Sequence, residues 1–407
     1  MPSLKVLNIL ALDCPAGVES SFTALVEAAR DSGLDNHVLV TRGRVHPWLR
    51  EALSRHTASL SYLKYLGPFK LPRWPRTLRR WRLRSAVRRV QPDVLLAFNS
   101  LGNLALLNAA SDECPSAVQV HYERGSAWSE HGQAAVTEYL DRTDGVLCNS
   151  HAGRRMLELA WGYPEGRARL CRNGVRLPPP APEMIPAELP PDGPIRIGFA
   201  ARLKPYKAPL LVVHALAELR KSSDLFELLV AGSGDEEERM RATAAALGIS
   251  EAVRFCGPVE DMAAFYSGLH VFVCPSVREP LGNVVIEASL YGCPVVAAAV
   301  DGTAEVVVDG ETGRLVRPDL PAQYYPQMGG GTGGMPRVVY DPAADALAPP
   351  RLCDPEGLAD AIRQVCRDAD GYRRMSAAAN RRIVEEFRVA DYVDKLDTEL
   401  RRVKQEA

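Results

Sequence analysis

The chain has 407 residues, enough for two or three domains, and is 46% apolar and 24% charged, an ordinary composition for soluble globular protein. Its 49 Lys and Arg nearly balance 50 Asp and Glu, so a net charge of -1 excludes bulk electrostatic attraction to nucleic acid. The nine cysteines show no C-x-x-C pair and no Cys/His ligand spacing, which argues for reduced thiols and against zinc or a disulfide frame. Residues 6–12 are too short and too little preceded by basic residues for a signal peptide. No apolar run reaches the length of a membrane span. A cytoplasmic location is therefore expected.

In chain order, residues 4–12 read as a strand, 13–19 as a loop, 20–32 as a helix capped by Ser20 or Ser21, and 38–41 as a second strand. A Rossmann-like domain begins this way. Gly17 in the loop allows close backbone approach to a ligand, or merely a tight turn.

Residues 52–92 hold eleven Lys and Arg and no Asp or Glu. On a helix at ~100° per residue, Leu83, Ala86, Val87 and Val90 form one apolar stripe, most simply core. Trp81 and Leu78 fall opposite, among Arg79, Arg80, Arg82, Arg84, Arg88 and Arg89. An apolar tip inside an arginine field suits a peripheral membrane contact, with ~1 kcal/mol of attraction per basic residue near anionic headgroups. A solvated helix face, or a site for an anionic acceptor, would use the same residues.

Strands follow at 94–97 and 117–121, the latter ending at His121, with Glu123 and Arg124 beside it. A histidine at the carboxyl end of such a strand points toward the crevice where α/β sheets bind ligands. Residues 145–149 read as a strand and 151–160 as a helix. Eight prolines in 178–194 forbid a helix interior or central strand, so a semi-rigid linker and a domain boundary are expected there.

The second half opens with a strand at 195–199. Arg202 and Lys207 follow, two cations between a strand and a helix, an arrangement suited to a diphosphate; charge-assisted hydrogen bonds of this kind contribute ~1.5–3 kcal/mol each. Strand 226–231 runs into Gly232-Ser233-Gly234, a weak signal alone. Strand 253–257 leads to Pro258-Val259, then a helix at 261–269. Residues 271–274 read as a strand, 294–300 as another, with a Gly/Pro turn and a helix between. The helix start near Gly282 offers N–H groups to phosphate. Glu279 lies at its lip and Glu287 one turn beyond Asn283. Both carboxylates are acceptors suited to sugar hydroxyls, although an ordinary helix start could carry them too. Residues 318–352 hold Tyr324-Tyr325 and five of the chain's glycines between 329 and 334, a stretch expected to form a mobile loop, as a lid over a bound ligand or as surface decoration. Residues 356–407 read as helical.

Taken together these stretches resemble the retaining glycosyltransferases of family 4, glycosyl transferases group 1. Residues 279–288 match E-P-x-G-x-x-x-x-E-A, 292–296 match G-x-P-V-V, 302–305 match G-x-x-E and 310–313 match G-x-x-G. Residues 173–175 match the family's N-G-V, and 201–208 its G-R-L-x-x-x-K-G with Ala201 and Ala208 in place of both glycines. Ala16 replaces one of two usual glycines in the first loop. The resemblance implies an α/β GT-B fold: two Rossmann-like domains facing an interdomain cleft, with a C-terminal helix crossing back to the first domain. The implied parts are an acceptor-binding domain over 1–177, the linker over 178–194, a nucleotide-sugar-binding domain over 195–375 with the insertion 318–352, and helices 376–407 packing back on the first domain.

The resemblance also implies roles. Arg202 and Lys207 carry diphosphate charge, Glu279 holds donor-sugar hydroxyls, Glu287 holds the ribose, and His121 positions the sugar or stabilises developing charge. Gly17, Gly232, Gly234, Val259, Leu281, Gly282 and Asn283 line the donor. No metal and no cofactor are expected, since no D-x-D is placed to hold a cation; the co-substrate is a UDP-sugar or GDP-sugar. The expected function is metal-independent, retaining transfer of a sugar to a glycan or lipid-linked acceptor hydroxyl, in bacterial polysaccharide or lipopolysaccharide synthesis at the inner face of the cytoplasmic membrane. A sugar-nucleotide epimerase of the same fold, or a non-catalytic nucleotide-sugar-binding partner subunit, are the alternatives.

Overall fold

The computed structural model describes residues 3–14, 17–72, 77–177, 188–190, 193–223 and 225–407. Ala16, residues 73–76 of the basic span and most of the proline-rich segment 178–194 lie outside them. Two compact units are present: Met1–Arg176 with Arg388–Ala407, and Leu177–Phe387. No helix among the described residues is long and apolar enough to cross a membrane.

The first unit contains β1 (Leu4–Leu10), α1 (Gly17–Ala28), β2 (Leu34–Val40), α2 (Pro47–His56), β3 (Ser59–Tyr62), a hairpin of β4 (Tyr65–Leu66) and β5 (Phe69–Lys70), and α3 (Thr77–Val90). Then come β6 (Val94–Phe98), α4 (Leu104–Glu113), β7 (Val118–Glu123), α5 (Gln133–Asp141), β8 (Gly145–Cys148), α6 (His151–Trp161) and β9 (Arg169–Leu170). Seven of the strands form a parallel sheet in the order β3-β2-β1-β6-β7-β8-β9. Alternation along β1 sends Val6 and Leu10 to a core on one face and Leu7 and Ile9 to the other, where α3 and α4 pack. The predicted stripe of Leu83, Ala86, Val87 and Val90 is buried there. Ser150 caps α6, its hydroxyl accepting from the Gly153 N–H at 2.9 Å.

The second unit contains β10 (Ile195–Ala200), α7 (Pro209–Arg220), β11 (Phe226–Ala231), α8 (Glu237–Ala246), β12 (Val253–Gly257), α9 (Met262–Ser267), β13 (Val271–Cys274), α10 (Asn283–Leu290), β14 (Val295–Ala298), α11 (Thr303–Val306) and β15 (Gly313–Val316). Six strands form a parallel sheet in the order β12-β11-β10-β13-β14-β15. From β10 the chain works outward one way, and from β13 the other way. The switch point between them is where doubly wound sheets bind ligands.

The insertion departs from expectation. Instead of a mobile loop it is packed into the second unit. It forms β16 (Leu320–Pro321), β17 (Val339–Asp341), β18 (Ala346–Ala348) and β19 (Arg351–Leu352), with β16 paired to β19 and β17 to β18. Tyr325 is fully buried, and Val339 and Leu352 join the core. These apolar anchors, spaced along a glycine-rich stretch, give it burial that a surface lid would lack.

Three helices close the chain: α12 (Pro355–Val365), α13 (Ala369–Glu386) and α14 (Val389–Glu406). The return expected from residue 376 begins at Arg388. α13 stays with the second unit because its polar groups bond there: the Tyr372 hydroxyl to His270 O at 2.8 Å, Asn380 Nδ2 to Leu290 O at 2.5 Å and Arg382 Nε to Val306 O at 3.0 Å. α14 buries Tyr392, Val393, Leu396, Leu400 and Val403 in the first unit. Leu400 has no exposed surface. Its replacement by Ala should cost about 2–5 kcal/mol, the range for truncating a buried Leu. Denaturant melts followed by probes in each unit should show the loss in the first unit alone; an unchanged melt would mean that α14 is dispensable.

Candidate functional site

The predicted donor residues of the second unit gather at the carboxyl ends of its strands. Arg202 follows β10, Gly232 and Gly234 follow β11, Val259 follows β12, and Glu279 to Asn283 follow β13. Thus Arg202 and Glu279 flank the switch point. Lys207 Nζ reaches Glu279 Oε2 at 2.5 Å, joining the two loops. The Val277 N–H donates to Tyr206 O at 2.9 Å beneath that pair. Ser276 Oγ donates to the same carboxylate oxygen at 3.1 Å. Burial alone would lower the Lys207 ammonium; the adjacent Glu279 charge overrides it and holds the amine above its ordinary value. Cys274, buried beneath and facing Glu279, is pushed up to about 12, first by burial and then by that carboxylate.

The Glu279 backbone is fixed from the other side. Its N–H donates to Asp301 Oδ2 at 2.9 Å, and its carbonyl accepts from Gly302 N at 3.0 Å. A Cβ on Gly302 would meet Pro280 O at 2.2 Å, so the close approach of these loops requires glycine. Asp301 also accepts from Tyr340 N, at 2.8 Å, through its second oxygen. Tyr340 belongs to β17, so the insertion reaches the Glu279 loop through one carboxylate. It reaches the Arg202 loop as well. The Tyr325 hydroxyl accepts from Leu210 N at 3.4 Å, and buried Glu236 accepts from Gly331 N at 3.1 Å while its own N–H donates to Leu203 O.

Gly232 sits at φ 116° in the turn after β11, where a Cβ would lie 2.0 Å from Ala201 O. The G-x-G loop is therefore shaped by its contact with the Arg202 loop, a cause independent of any ligand. Ala208, where the related pattern has glycine, takes φ 48° at the start of α7, a left-handed conformation that strains a residue with a Cβ by about 1–2 kcal/mol. Gly282, at φ 95°, is the N-cap of α10, whose first turn carries no acid. Leu281 is buried and packs inward. Half-buried Glu287, on α10, accepts from the Tyr266 hydroxyl at 2.9 Å. Burial raises its carboxyl from the ordinary range to about 7, against the lowering effect of that hydrogen bond.

In the first unit Gly17 begins α1 at the carboxyl end of β1. His121 has no exposed surface. Its Nδ1 lies 3.3 Å from the Tyr139 hydroxyl and its Nε2 3.1 Å from Glu123 Oε2, so both ring nitrogens are engaged inside the unit. Period-2 alternation explains this: Val120 and Tyr122 face the α14 side, and His121 faces α5. Glu123 is itself held by the Gly125 and Ala127 N–H groups and the Ser126 hydroxyl; His121 first, then Ser126 and Ala127, lower its carboxyl against the raising effect of full burial. In this structure His121 therefore orients the turn at 123–127 and presents no free atom to a sugar.

The arginine field of α3 divides. Arg84 pairs with Asp112 and Glu113, and Arg88 Nε with Glu113 at 2.7 Å, so these two are tied to α4. Arg82 Nη2 donates to Tyr62 O at 3.2 Å. Arg79, Arg80, Arg89 and Trp81 remain, and Trp81 is 53% exposed. The β4–β5 hairpin, absent from the sequence reading, adds Phe69, 75% exposed, and Leu66. Nearby Lys64 is lowered by burial and by the cations Arg79, Arg42 and Lys70, against the raising effect of Asp13, which pairs with Arg42.

Sequence reasoning also missed Tyr206, Arg278 and Asp301. The signal for Arg278 is its place beside Glu279. Asp301 precedes the glycine of G-x-x-E and left no periodic trace.

Comparison with known proteins bears on both units. The profile of Glycosyltransferase Family 4 matches residues 15–177, and that of Glycosyl transferases group 1 matches residues 194–330. A D-inositol 3-phosphate glycosyltransferase of Acidothermus cellulolyticus is 33% identical over 264 residues, 60% of this chain and 57% of that protein. A similar enzyme of Catenulispora acidiphila is 35% identical over 46% of this chain and 47% of its own length, so the chain spans about half of these relatives. The lipopolysaccharide core biosynthesis glycosyltransferase LpsE of Rhizobium meliloti is 27% identical over 89% of this chain and 96% of that protein. Among solved structures, Anabaena Alr3699/HepE in complex with UDP and glucose superposes with a TM-score of 0.72 over 98% of this chain and 100% of that one, at 17% identity. The fold is thus the GT-B fold.

The Glu287 shift has a consequence for stability. Its folded value is raised above its unfolded one, so between the ordinary carboxyl range and about 7 the folded state binds more protons. Stability of the second unit should therefore fall as pH rises through that window and level off above it. Denaturant melts from pH 5 to 8 should show this slope in the wild type and a flatter line in Glu287→Gln. Parallel profiles in the two proteins would rule the carboxyl out as the cause.

Proposed function

Because the chain belongs to the family 4 glycosyltransferases, of the glycosyl transferases group 1 type, we propose that it transfers a sugar, with retention, from a nucleoside diphosphate sugar to an acceptor hydroxyl. The observation that carries this reading is the Lys207–Glu279 pair across the sheet's switch point, with Arg202 beside it. Cations for a leaving diphosphate and a carboxylate for sugar hydroxyls stand in one place. The bond between the anomeric carbon and the diphosphate oxygen breaks, and the acceptor oxygen forms the new bond from the same face. The acceptor's proton passes to a phosphate oxygen. Arg202, Lys207 and the start of α10 meet the charge of the leaving group, so no metal ion is needed. Glu279 holds the sugar and Glu287 the ribose. UDP in the Anabaena structure and the name of the Rhizobium enzyme support a UDP-sugar donor and an acceptor in lipopolysaccharide or another surface glycan.

Thermal shift and donor hydrolysis, with EDTA present, should identify one nucleoside diphosphate sugar that stabilises the wild type. Binding should weaken in Arg202→Ala, and slow hydrolysis should disappear in Glu279→Ala. Anomeric configuration of the product, read by NMR, tests retention. Interconversion of the donor's sugar without transfer would favour the epimerase, and binding without turnover the non-catalytic subunit.

Peripheral membrane contact is part of the proposal. The exposed Phe69, Leu66 and Trp81, with Lys64, Lys70, Arg79 and Arg80, suit the headgroup layer of an anionic bilayer at the cytoplasmic face. In co-sedimentation, vesicles of phosphatidylcholine with phosphatidylglycerol should bind the protein and pure phosphatidylcholine should not. Lys70→Gln with Arg80→Gln should weaken binding by about tenfold or more, at ~1 kcal/mol per charge. Equal partition of the double variant would remove this surface from the proposal.

A further inference from the structure

Charge at the donor site is incomplete with the two cations already named. A nucleoside diphosphate sugar carries one negative charge on each phosphate. Lys207 is already balanced by Glu279 at 2.5 Å. Arg202, exposed and without a carboxylate partner among the described residues, would then face both phosphates alone.

A third cation stands beside them. Arg278 immediately precedes Glu279, and its guanidinium carbon lies 5.1 Å from the centre of the Tyr206 ring. The same ring has Lys207 Nζ 5.6 Å from its centre, and its hydroxyl accepts from Arg202 Nη2 at 3.1 Å. One aromatic side chain thus collects all three cations. Its main chain is tied to the Arg278 loop by the Val277 N–H to Tyr206 O bond. Arg278 is half-buried, has no carboxylate partner among the described residues, and its Nε is buried without a hydrogen-bond partner. A guanidinium held by stacking alone, with a buried donor unspent, lacks the acceptor that such groups require. Arg202 and Arg278, like charges gathered on one side chain and each without a carboxylate partner among the described residues, repel, and an anion between them relieves both costs.

Resting on the reading of the site as a nucleoside diphosphate sugar site, we infer that Arg278 is a third diphosphate-binding residue, and that Tyr206 is the platform positioning it against Arg202. Arg202 and Arg278 supply the two charges that Glu279 does not already offset, while Lys207 meets the diphosphate as a cation shared with that carboxylate.

The test uses calorimetric binding of UDP, GDP, ADP and CDP, then of the monophosphate of whichever base binds best. Arg278→Gln should weaken the diphosphate by about ten- to a hundredfold, the loss of one charge-assisted hydrogen bond. The monophosphate should change by less than about twofold, since one phosphate leaves one cation sufficient. Arg278→Lys should restore part of the difference. Tyr206→Phe, which keeps the ring and removes the hydroxyl that holds Arg202, should weaken the diphosphate more mildly. Unchanged diphosphate affinity in Arg278→Gln overturns the inference, as does an equal loss for diphosphate and monophosphate, which would mark a folding defect. If no nucleotide binds the wild type, it is the glycosyl-transfer reading that fails, and this outcome is distinct from either.

Discussion

A single ion pair spans the topological gap on which the second unit is built. β10 and β13 are neighbours whose onward connections run in opposite directions, so nothing in the sheet itself joins the loops that leave them. Lys207 and Glu279 do so, backed by the Val277–Tyr206 backbone bond. Both side chains are mostly withdrawn from water, and breaking a buried pair by removing one partner strands the other charge at a cost of about 3–5 kcal/mol. The pair therefore fixes loop separation as well as charge. It does so with the groups the proposed chemistry uses, so the site is assembled before any donor arrives.

The insertion extends this bracing. Asp301 is a two-oxygen acceptor with one backbone N–H on each side, Glu279 from the site and Tyr340 from β17. Its backbone takes φ 49°, an arrangement that Asp tolerates better than most residues because its short side chain bonds locally. On the opposite flank Tyr325 and Glu236 tie the same insertion to the start of α7 and to the Arg202 loop. Residues read as decoration thus hold both halves of the site. Their positions matter through packing and backbone bonds, so substitutions within 318–352 would act on the site through its geometry.

Much of this was legible in the sequence where the signal is local. β11, β12 and β13 lie at the residues that apolar runs indicated, and the α3 stripe is buried as its period required. The motif order placed Arg202, Lys207 and Glu279 in the loops after strands and Glu287 in the helix beyond, and the structure brings the first three to one edge of one sheet, with Glu287 on α10. What failed to show is pairing across long separations. Asp301 and Tyr340 are 39 positions apart, and no spacing rule links them. His121 was read from its strand position, but the face it occupies depends on α5, which the periodicity did not reveal. α4, with apolar and small residues mixed, left no clear stripe, so its acids were not set against α3.

That last omission changes what the basic span means. The run of residues 52–92 without an acid suggests a broad positive surface. Asp112 and Glu113 arrive from α4 and neutralise Arg84 and Arg88, leaving Arg89 as the exposed cation of the C-terminal half of α3. The remaining charge is smaller and more concentrated. Apart from Arg89, it lies at the start of α3 and around the β4–β5 hairpin, where burial and then Arg79 and Lys70 lower the Lys64 amine and where Phe69, Leu66 and Trp81 stand exposed. Apolar side chains in water and cations without counter-charge are each unfavourable alone, and a headgroup layer satisfies both at once. Tertiary pairing has therefore turned a diffuse charge asymmetry of the sequence into a localised amphipathic edge.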